Sequence, residues 1–293
     1  EIPLGEPSTV LTHAHANTSL AFGDAALLKV FRRVEPAPNP DLEIHRALTE
    51  VDSTHVAPLF GWVSGQWADP GTGAEVTGTL AMLKRFLVTA TDGWQLAEAS
   101  VRDLYAEADL HPNEVGGDFA GEAHRLGVAV AEVHADMRRT MSTAELDTAR
   151  LGALAQQMRQ RLGAAIVVVP GLDPYAPQLR QAYAELTALG PGLVMQRVHG
   201  DLHLENILRT VLGWKLIDFE GDNHIPLWQR VALDSPLRDV ASMLRSFDYV
   251  AQHLLIADHP GDAQIAYRAV EWSERNAEAF CAGYAAASGA GAG

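Results

Sequence analysis

Five side chains able to bind or move charge fall within eight residues: His199, Asp201, His203, Glu205 and Asn206, inside the otherwise apolar stretch QRVHGDLHLENILRT. A second group, Asp218, Glu220 and Asp222, follows in KLIDFEGD. Polar groups this dense are costly to bury unless they are paired or bind something, and a folded core needs neither set. A carboxylate within hydrogen-bond reach of a hydroxyl can take its proton. Magnesium asks for hard oxygen ligands and keeps several waters, so one or two carboxylates and an amide suffice. Asp218 follows Asp201 by 17 positions, room for one short hairpin that returns both carboxylates to one edge.

The elements around these clusters can be read from periodicity. STVLTHAHANTSLAFGDAALLKVFRR alternates as strands with a turn at FGDA, and PAPNPD is a loop. Asn39 or Asp41 could cap a helix through DLEIHRALTEV. Strand character returns in VAPLFGWVSGQ and EVTGTLAMLKRFL around a turn at ADPGTG. From DGWQLAEASVRDLYAEA onward the period is helical: Phe119, Ala123, Leu126, Val130, Val133 and Met137 share one face, and residues 141–163 and 173–190 also read as helix. Residues 193–220 are short strands with a hairpin around Leu212-Gly213. Two helices close the chain, SPLRDVASMLRSFDYVA and AVEWSERNAEAFCAGYAAA. Strands first and helices after predict an α+β class with two lobes, residues 1–90 and 91–293, and a site in the cleft between them.

Bulk properties narrow the partners. The 293 residues are 47% hydrophobic and 20% charged, an ordinary folded composition, and suit a bilobal unit. A net charge of −15 argues against nucleic acid or an anionic membrane as the main partner and tolerates a cationic substrate. The single cysteine, Cys281, excludes an intrachain disulfide and a cysteine metal cluster and makes the cytoplasm the default location. No signal peptide opens the chain, which begins at Glu1, and AAIVVVPGL is too short to span a membrane. His13 and His15 lack the further His or Cys that a transition-metal site needs. Arg32-Arg33 reads as a solvated strand end.

His199, Asp201 and Asn206 spell H-x-D-x-x-x-x-N, which resembles the protein-kinase catalytic loop, with Asp as base and Asn on magnesium. IDFE stands where the kinase metal-binding Asp-Phe-Gly would lie, with Glu220 in place of the glycine. Phosphoryl transfer is mainly positioning and charge neutralisation. On this pattern Asp201 is the base, Asn206 and Asp218 hold magnesium, and Glu220 either ligates the metal or only hydrogen-bonds the loop. A phosphate-neutralising lysine belongs on an early strand: Lys29 in ALLKVFRR, paired with Glu43 on the next helix. Taken alone, Lys29 would read as a snorkelling surface lysine and Glu43 as a solvated acid. Asn17, Thr18 and Ser19 occupy the phosphate-loop position without a glycine string.

HGDLHLENIL, LIDFEGD and DSPLRDVASMLRSFDY, with NTSLAFGD and EWSERNAEAFCAGY near the two ends, resemble the aminoglycoside phosphotransferase-like kinases, and most closely the actinobacterial maltokinase group. The resemblance implies a bilobal kinase-like fold, ATP and Mg2+ as cofactors and a small sugar as substrate. It implies that His199 is structural and ties the loop to Asp239; His203 reads equally as a cap of the loop or a contact to the sugar. It places the last helix at the sugar, with Trp272, Glu274 and Asn276 as contacts and Glu271 nearby. By base rate Trp272 is a core residue. Maltokinases have Gly-Gln where this chain has Glu205-Asn206, differ after DFEG, and usually carry an N-terminal cap domain for which this sequence shows no counterpart. The departures point to the related branch that phosphorylates glucosamine, with maltokinase and aminoglycoside phosphotransferase as alternatives. A nucleotide-binding pseudokinase would lack part of the catalytic set.

Overall fold

The structure, a computed structural model, describes residues 5–11, 17–189 and 192–289. His13 and His15 lie outside the described residues. Ser8–Leu11 (β1), Thr18–Phe22 (β2), Ala26–Val30 (β3), Leu59–Ala68 (β4) and Glu75–Arg85 (β5) form one antiparallel sheet in the order β1-β2-β3-β5-β4. Gly23, at φ 51°, makes the expected turn between β2 and β3. Between β3 and β4 runs Pro40–Glu50 (α1), started by two devices. Asn39 Oδ1 accepts from Asp41 N at 2.8 Å, and Pro40 takes the first turn. With Asn39 as the cap, Asp41 is a helical residue and is completely buried against the sheet.

Beyond residue 90 the chain is mostly helical: Gly93–Ala106 (α2), Ala120–Thr140 (α3), Thr148–Val168 (α4), Ala176–Glu185 (α5), Leu227–Arg230 (α6), Leu237–Asp258 (α7) and Ala263–Ser288 (α8). Asp92 caps α2 with its carboxylate on Trp94 N and Gln95 N. The stripe from Ala123 to Met137 packs inward as its spacing predicted. Helices α2, α3, α7 and α8 enclose the largest core, where Phe119 stacks on Trp272 with ring centroids 6.1 Å apart, and Phe247 and Phe280 complete the cluster. Burying each phenylalanine there contributes roughly 1.5–3 kcal/mol. Helices α3 and α8 meet backbone to backbone at two glycines. A Cβ on Gly127 would lie 2.1 Å from Phe280 O, and one on Gly283 2.1 Å from His124 O. No helix among the described residues is long and apolar enough to cross a membrane.

Short strands interrupt the helical part: Thr91–Asp92 (β6), Thr143–Leu146 (β7), Leu193–Gln196 (β8), Ile207–Thr210 (β9) and Gly213–Leu216 (β10). The helical reading of 141–163 is corrected here. Residues 143–146 pair with β8 in an antiparallel ribbon, and α4 starts only after Asp147, whose side chain caps it through Arg150 N. The pairing partner lies about fifty residues away, beyond the reach of local periodicity. The 173–190 helix is likewise shorter than expected, with 3₁₀ turns at 170–175 and 186–189 on either side of α5. The class is α+β, as the segregated order of elements predicted.

Candidate active site

The β9–β10 hairpin turns at Val211-Leu212, one residue ahead of the expected position, and pairs Ile207 with Leu216. Past that pair, Ile217 N donates to Asn206 O at 3.0 Å. Asn206 and Asp218 therefore flank the open end of one hairpin, and Asp201, 17 positions before Asp218, lines the same cleft. Asp218 sits at φ 63°, a left-handed conformation uncommon for a side-chain-bearing residue and costing about 1–3 kcal/mol.

The loop entering the hairpin is held from below by Asp239 on α7. Its carboxylate, 1% exposed, accepts from His199 N at 2.7 Å, Gly200 N at 2.9 Å and His134 Nε2 at 3.0 Å. Burial would raise this carboxyl, and the bond from His134 leads the influences that hold it below the usual range. The expected His199–Asp239 tie thus runs through the backbone. The His199 imidazole instead meets Ile217 O at 2.8 Å, bracing the loop against the segment that leads from β10 to Asp218.

The loop presents Asp201 and His203 to a cleft of about 540 Å³ between the sheet and the helical part, lined also by Asn17, Ser19, Lys29, Lys84, Glu205, Asn206, Asp218 and Glu220. His203 Nε2 is 3.7 Å from Asp201 Oδ2, near enough to feel its charge but long for a hydrogen bond. Their interaction holds the Asp201 carboxyl below its ordinary value and lifts the His203 imidazole above its own, with burial opposing both shifts. Asp201 is therefore ionised, as a proton acceptor must be. Asn206 Nδ2 donates to Asp201 O at 2.8 Å and lies 3.1 Å from His203 Nε2, which fixes the side-chain amide beside Asp201.

Lys29 on β3 reaches into the same cleft. Its ammonium is 2.7 Å from Asp41 Oδ2, 2.6 Å from Asp218 Oδ1 and 2.7 Å from Glu220 Oε1, as many carboxylates as it has N–H bonds. Burial lowers the pKa of such an ammonium, but the three carboxylates outweigh it and hold Lys29 well above its ordinary value. Burial raises Asp41 and Asp218, and the lysine outweighs it there too, keeping both ionised. Glu220 also accepts from Asn17 Nδ2, and its backbone carbonyl accepts from Arg230 Nη1 at 3.0 Å.

Several expectations change. Glu43 is not the partner of Lys29. Two helical residues on, it points about 200° away from Asp41 and meets Arg197 Nη1 at 3.2 Å. Asp41 takes the role instead, and its Oδ1 also receives Phe219 N at 3.1 Å. Ser19 pairs directly with Lys29 across the sheet and lines the cleft with Asn17, whereas Thr18 alternates to the other face. Trp272 and Asn276 are interior, 1% and 0% exposed. Trp272 Nε1 donates to Ser100 Oγ at 3.0 Å, and Asn276 Nδ2 to Trp272 O at 2.7 Å. Neither lines the cleft, so the expected aromatic plate is a core residue. Glu274 is exposed away from the cleft lining, and Glu271 is engaged by Arg268 and by His111 Nδ1 at 3.0 Å. Asp222 is a turn residue that accepts from His224 N at 2.8 Å, and Arg33 reaches Asn223 O at 3.1 Å. Sequence reasoning missed Asp41, Lys84, Trp94 and Gln95. The cap at Asn39 in NPD was the one available pointer, to Asp41.

A family model described as the phosphotransferase enzyme family matches residues 96–286. The chain is 35% identical over 181 residues to a glucosamine kinase of Streptacidiphilus jiangxiensis, covering 59% of this chain and 39% of that protein. It is 30% identical over 252 residues to a glucosamine kinase of Mycolicibacterium smegmatis, covering 82% and 58%. It thus spans less than two thirds of either relative's length. Over 96% of the chain, the fold matches a glucosamine kinase in complex with glucosamine, ADP and inorganic phosphate at a TM-score of 0.74 and 26% identity, covering 67% of that chain. A second glucosamine kinase structure, crystal form B, matches at 0.76 and covers 65%. Since the matched segment covers more than half of the chain and holds the whole β9–β10 hairpin and α7, the chain belongs to the phosphotransferase enzyme family.

Proposed function

We propose that this protein is an ATP-dependent sugar kinase that phosphorylates glucosamine at its exocyclic hydroxyl, giving glucosamine 6-phosphate and ADP. The observation that carries the reading is the convergence of Asp201, Asn206, Asp218 and Lys29 on one cleft. The glucosamine kinase relatives support the choice of sugar.

The donor atoms suit magnesium. Among the described residues no group of three or more His, Cys, Asp or Glu could hold a metal ion by itself, and Mg2+ asks for only one or two carboxylates beside substrate phosphates. Asn206, Asp218 and Glu220 would hold it, and when bound it neutralises phosphate charge. Asp201 orients the acceptor hydroxyl and takes its proton as the oxygen attacks the γ-phosphorus. Lys29, held by Asp41, would offer its charge to the phosphates. Glu205 lines the cleft with Asp201 and would be the carboxylate that meets the substrate's ammonium. Residues 1–90 and 91–293 act as the two lobes in this reading, and a cytoplasmic location belongs with it.

ADP release measured with glucosamine, glucose, N-acetylglucosamine, maltose and an aminoglycoside under one set of conditions tests the reading. The highest kcat/KM is expected for glucosamine. A preference for maltose or the aminoglycoside, or equal rates with glucosamine and glucose, overturns the choice of substrate.

A further inference from the structure

Lys84 is a second buried lysine in the cleft, with no role in the chemistry above. It is 5% exposed and lines the same cavity as Lys29. Across the β3–β5 ladder it pairs with Leu27, while Lys29 pairs with Met82. Directly paired residues share a face, so Lys29 and Lys84 share one, two residues apart along the strands, roughly 7 Å. The displacement runs toward Arg85–Leu87, which lead out of the sheet into the helical part and also line the cleft. Apolar side chains from the sheet (Leu27) and the hairpin (Leu208, with Ile217 just past it) line the cavity too, as a flat aromatic ring requires.

The carboxylates nearest in charge to Lys84 are Asp41, Asp218 and Glu220, all three drawn onto Lys29 at 2.6–2.7 Å. Among the described residues none lies within ion-pair or hydrogen-bond distance of the Lys84 ammonium. A buried ammonium with no acceptor among the described residues is costly to hold, and such a group lining a ligand cleft marks where a ligand's acceptor belongs. In the nucleotide reading above Lys29 meets the phosphates, which leaves Lys84, displaced toward Arg85–Leu87, on the side of the base.

We propose that Lys84 reads the nucleobase, donating to the acceptor edge of a purine. This rests on the nucleotide-cleft reading above. An ammonium has three donors and no acceptor. Adenine offers it N7 beside a donor amino group, whereas guanine offers both N7 and O6. Lys84 therefore favours purines through N7 and gives guanine nucleotides a larger share of its binding than adenine ones.

Calorimetric titration of the full chain with ADP, 7-deaza-ADP and GDP, without sugar, tests this on wild type and Lys84→Met. Removing N7 from the ligand is expected to weaken wild-type binding about ten-fold, the scale of a charge-assisted hydrogen bond. The same ligand change should cost Lys84→Met less than about two-fold, and the variant should lose more affinity for GDP than for ADP. A 7-deaza penalty of equal size in both proteins overturns the proposal, since a lysine that only balances charge would weaken every nucleotide alike. Should Lys84→Met fail to fold, the wild type alone decides: equal affinity for ADP and 7-deaza-ADP overturns it. If ADP does not bind the wild type at all, the nucleotide reading falls with it, an outcome distinct from the other two.

Discussion

Lys29 Nζ and Asp218 Oδ1 lie 2.6 Å apart although 189 positions separate them in the chain. The contact joins the sheet to the segment after the β9–β10 hairpin, and with Asp41 and Glu220 it closes a network in which the lysine stands against the carboxylates a metal would use. In the proposed reading lysine and metal compete for them. Lys29→Met is expected to bind Mn2+ in the absence of nucleotide about ten-fold or more tightly than wild type, the scale of one charge-assisted hydrogen bond. Electron paramagnetic resonance of the free ion measures this. Equal affinities would show that Lys29 does not guard the carboxylates.

Asp41 and Glu43 provide a paired comparison. Asp41→Asn leaves a buried ammonium with one carboxylate fewer and should cost about 3–5 kcal/mol of stability. Glu43→Gln removes a partly exposed contact to Arg197 and should cost no more than about 1 kcal/mol. Chemical denaturation of the two variants separates them, and a larger loss in Glu43→Gln would restore the sequence-based pairing.

That comparison shows where the sequence was readable. H-x-D-x-x-x-x-N and the hairpin after it are local, and a two-residue loop leaves little freedom in where Asn206 and Asp218 end up. The inward acid of α1 depends on helix rotation, which the cap at Asn39 sets. Trp272 and Asn276, four apart on one helix face, look the same whether that face meets a ligand or the packed rings of Phe119 and Phe247. Lys84 gives no local sign at all. It is one lysine in a strand, and only the ladder to β3 shows that it shares a face with Lys29.

His203 should titrate above its ordinary value of about 6.5 in the wild type, because Asp201 lifts it. In Asp201→Asn the leading upward influence is gone, burial and Arg245 work against Glu205 alone, and the midpoint should fall below that of the wild type. Because the folded-state value is raised, the stability tied to this pair is fully present below about pH 6.5 and is lost as pH rises through the raised value. Nuclear magnetic resonance of the imidazole gives both midpoints. An unmoved His203 in the variant would uncouple the two residues.

The α3–α8 contact should reject a methyl group. Gly127→Ala and Gly283→Ala each drive a Cβ to 2.1 Å from a backbone oxygen and should cost about 1–3 kcal/mol or more. Gly163→Ala in α4, with nothing within 4 Å, should be neutral or stabilising by up to about 1 kcal/mol. Thermal unfolding of the three variants checks the contrast, and a stable Gly127→Ala would mean the helices are farther apart than this.

Phosphoryl transfer to a sugar hydroxyl with Asp201 as base is tested most directly by comparing wild type and Asp201→Asn in one experiment. Glucosamine 6-phosphate formation is followed by phosphorus resonance, and ADP affinity by titration. The wild type is expected to form the product. The variant should lose about 10²–10⁴-fold in kcat/KM while binding ADP as the wild type does. Turnover within a few-fold of wild type would remove Asp201 from the chemistry.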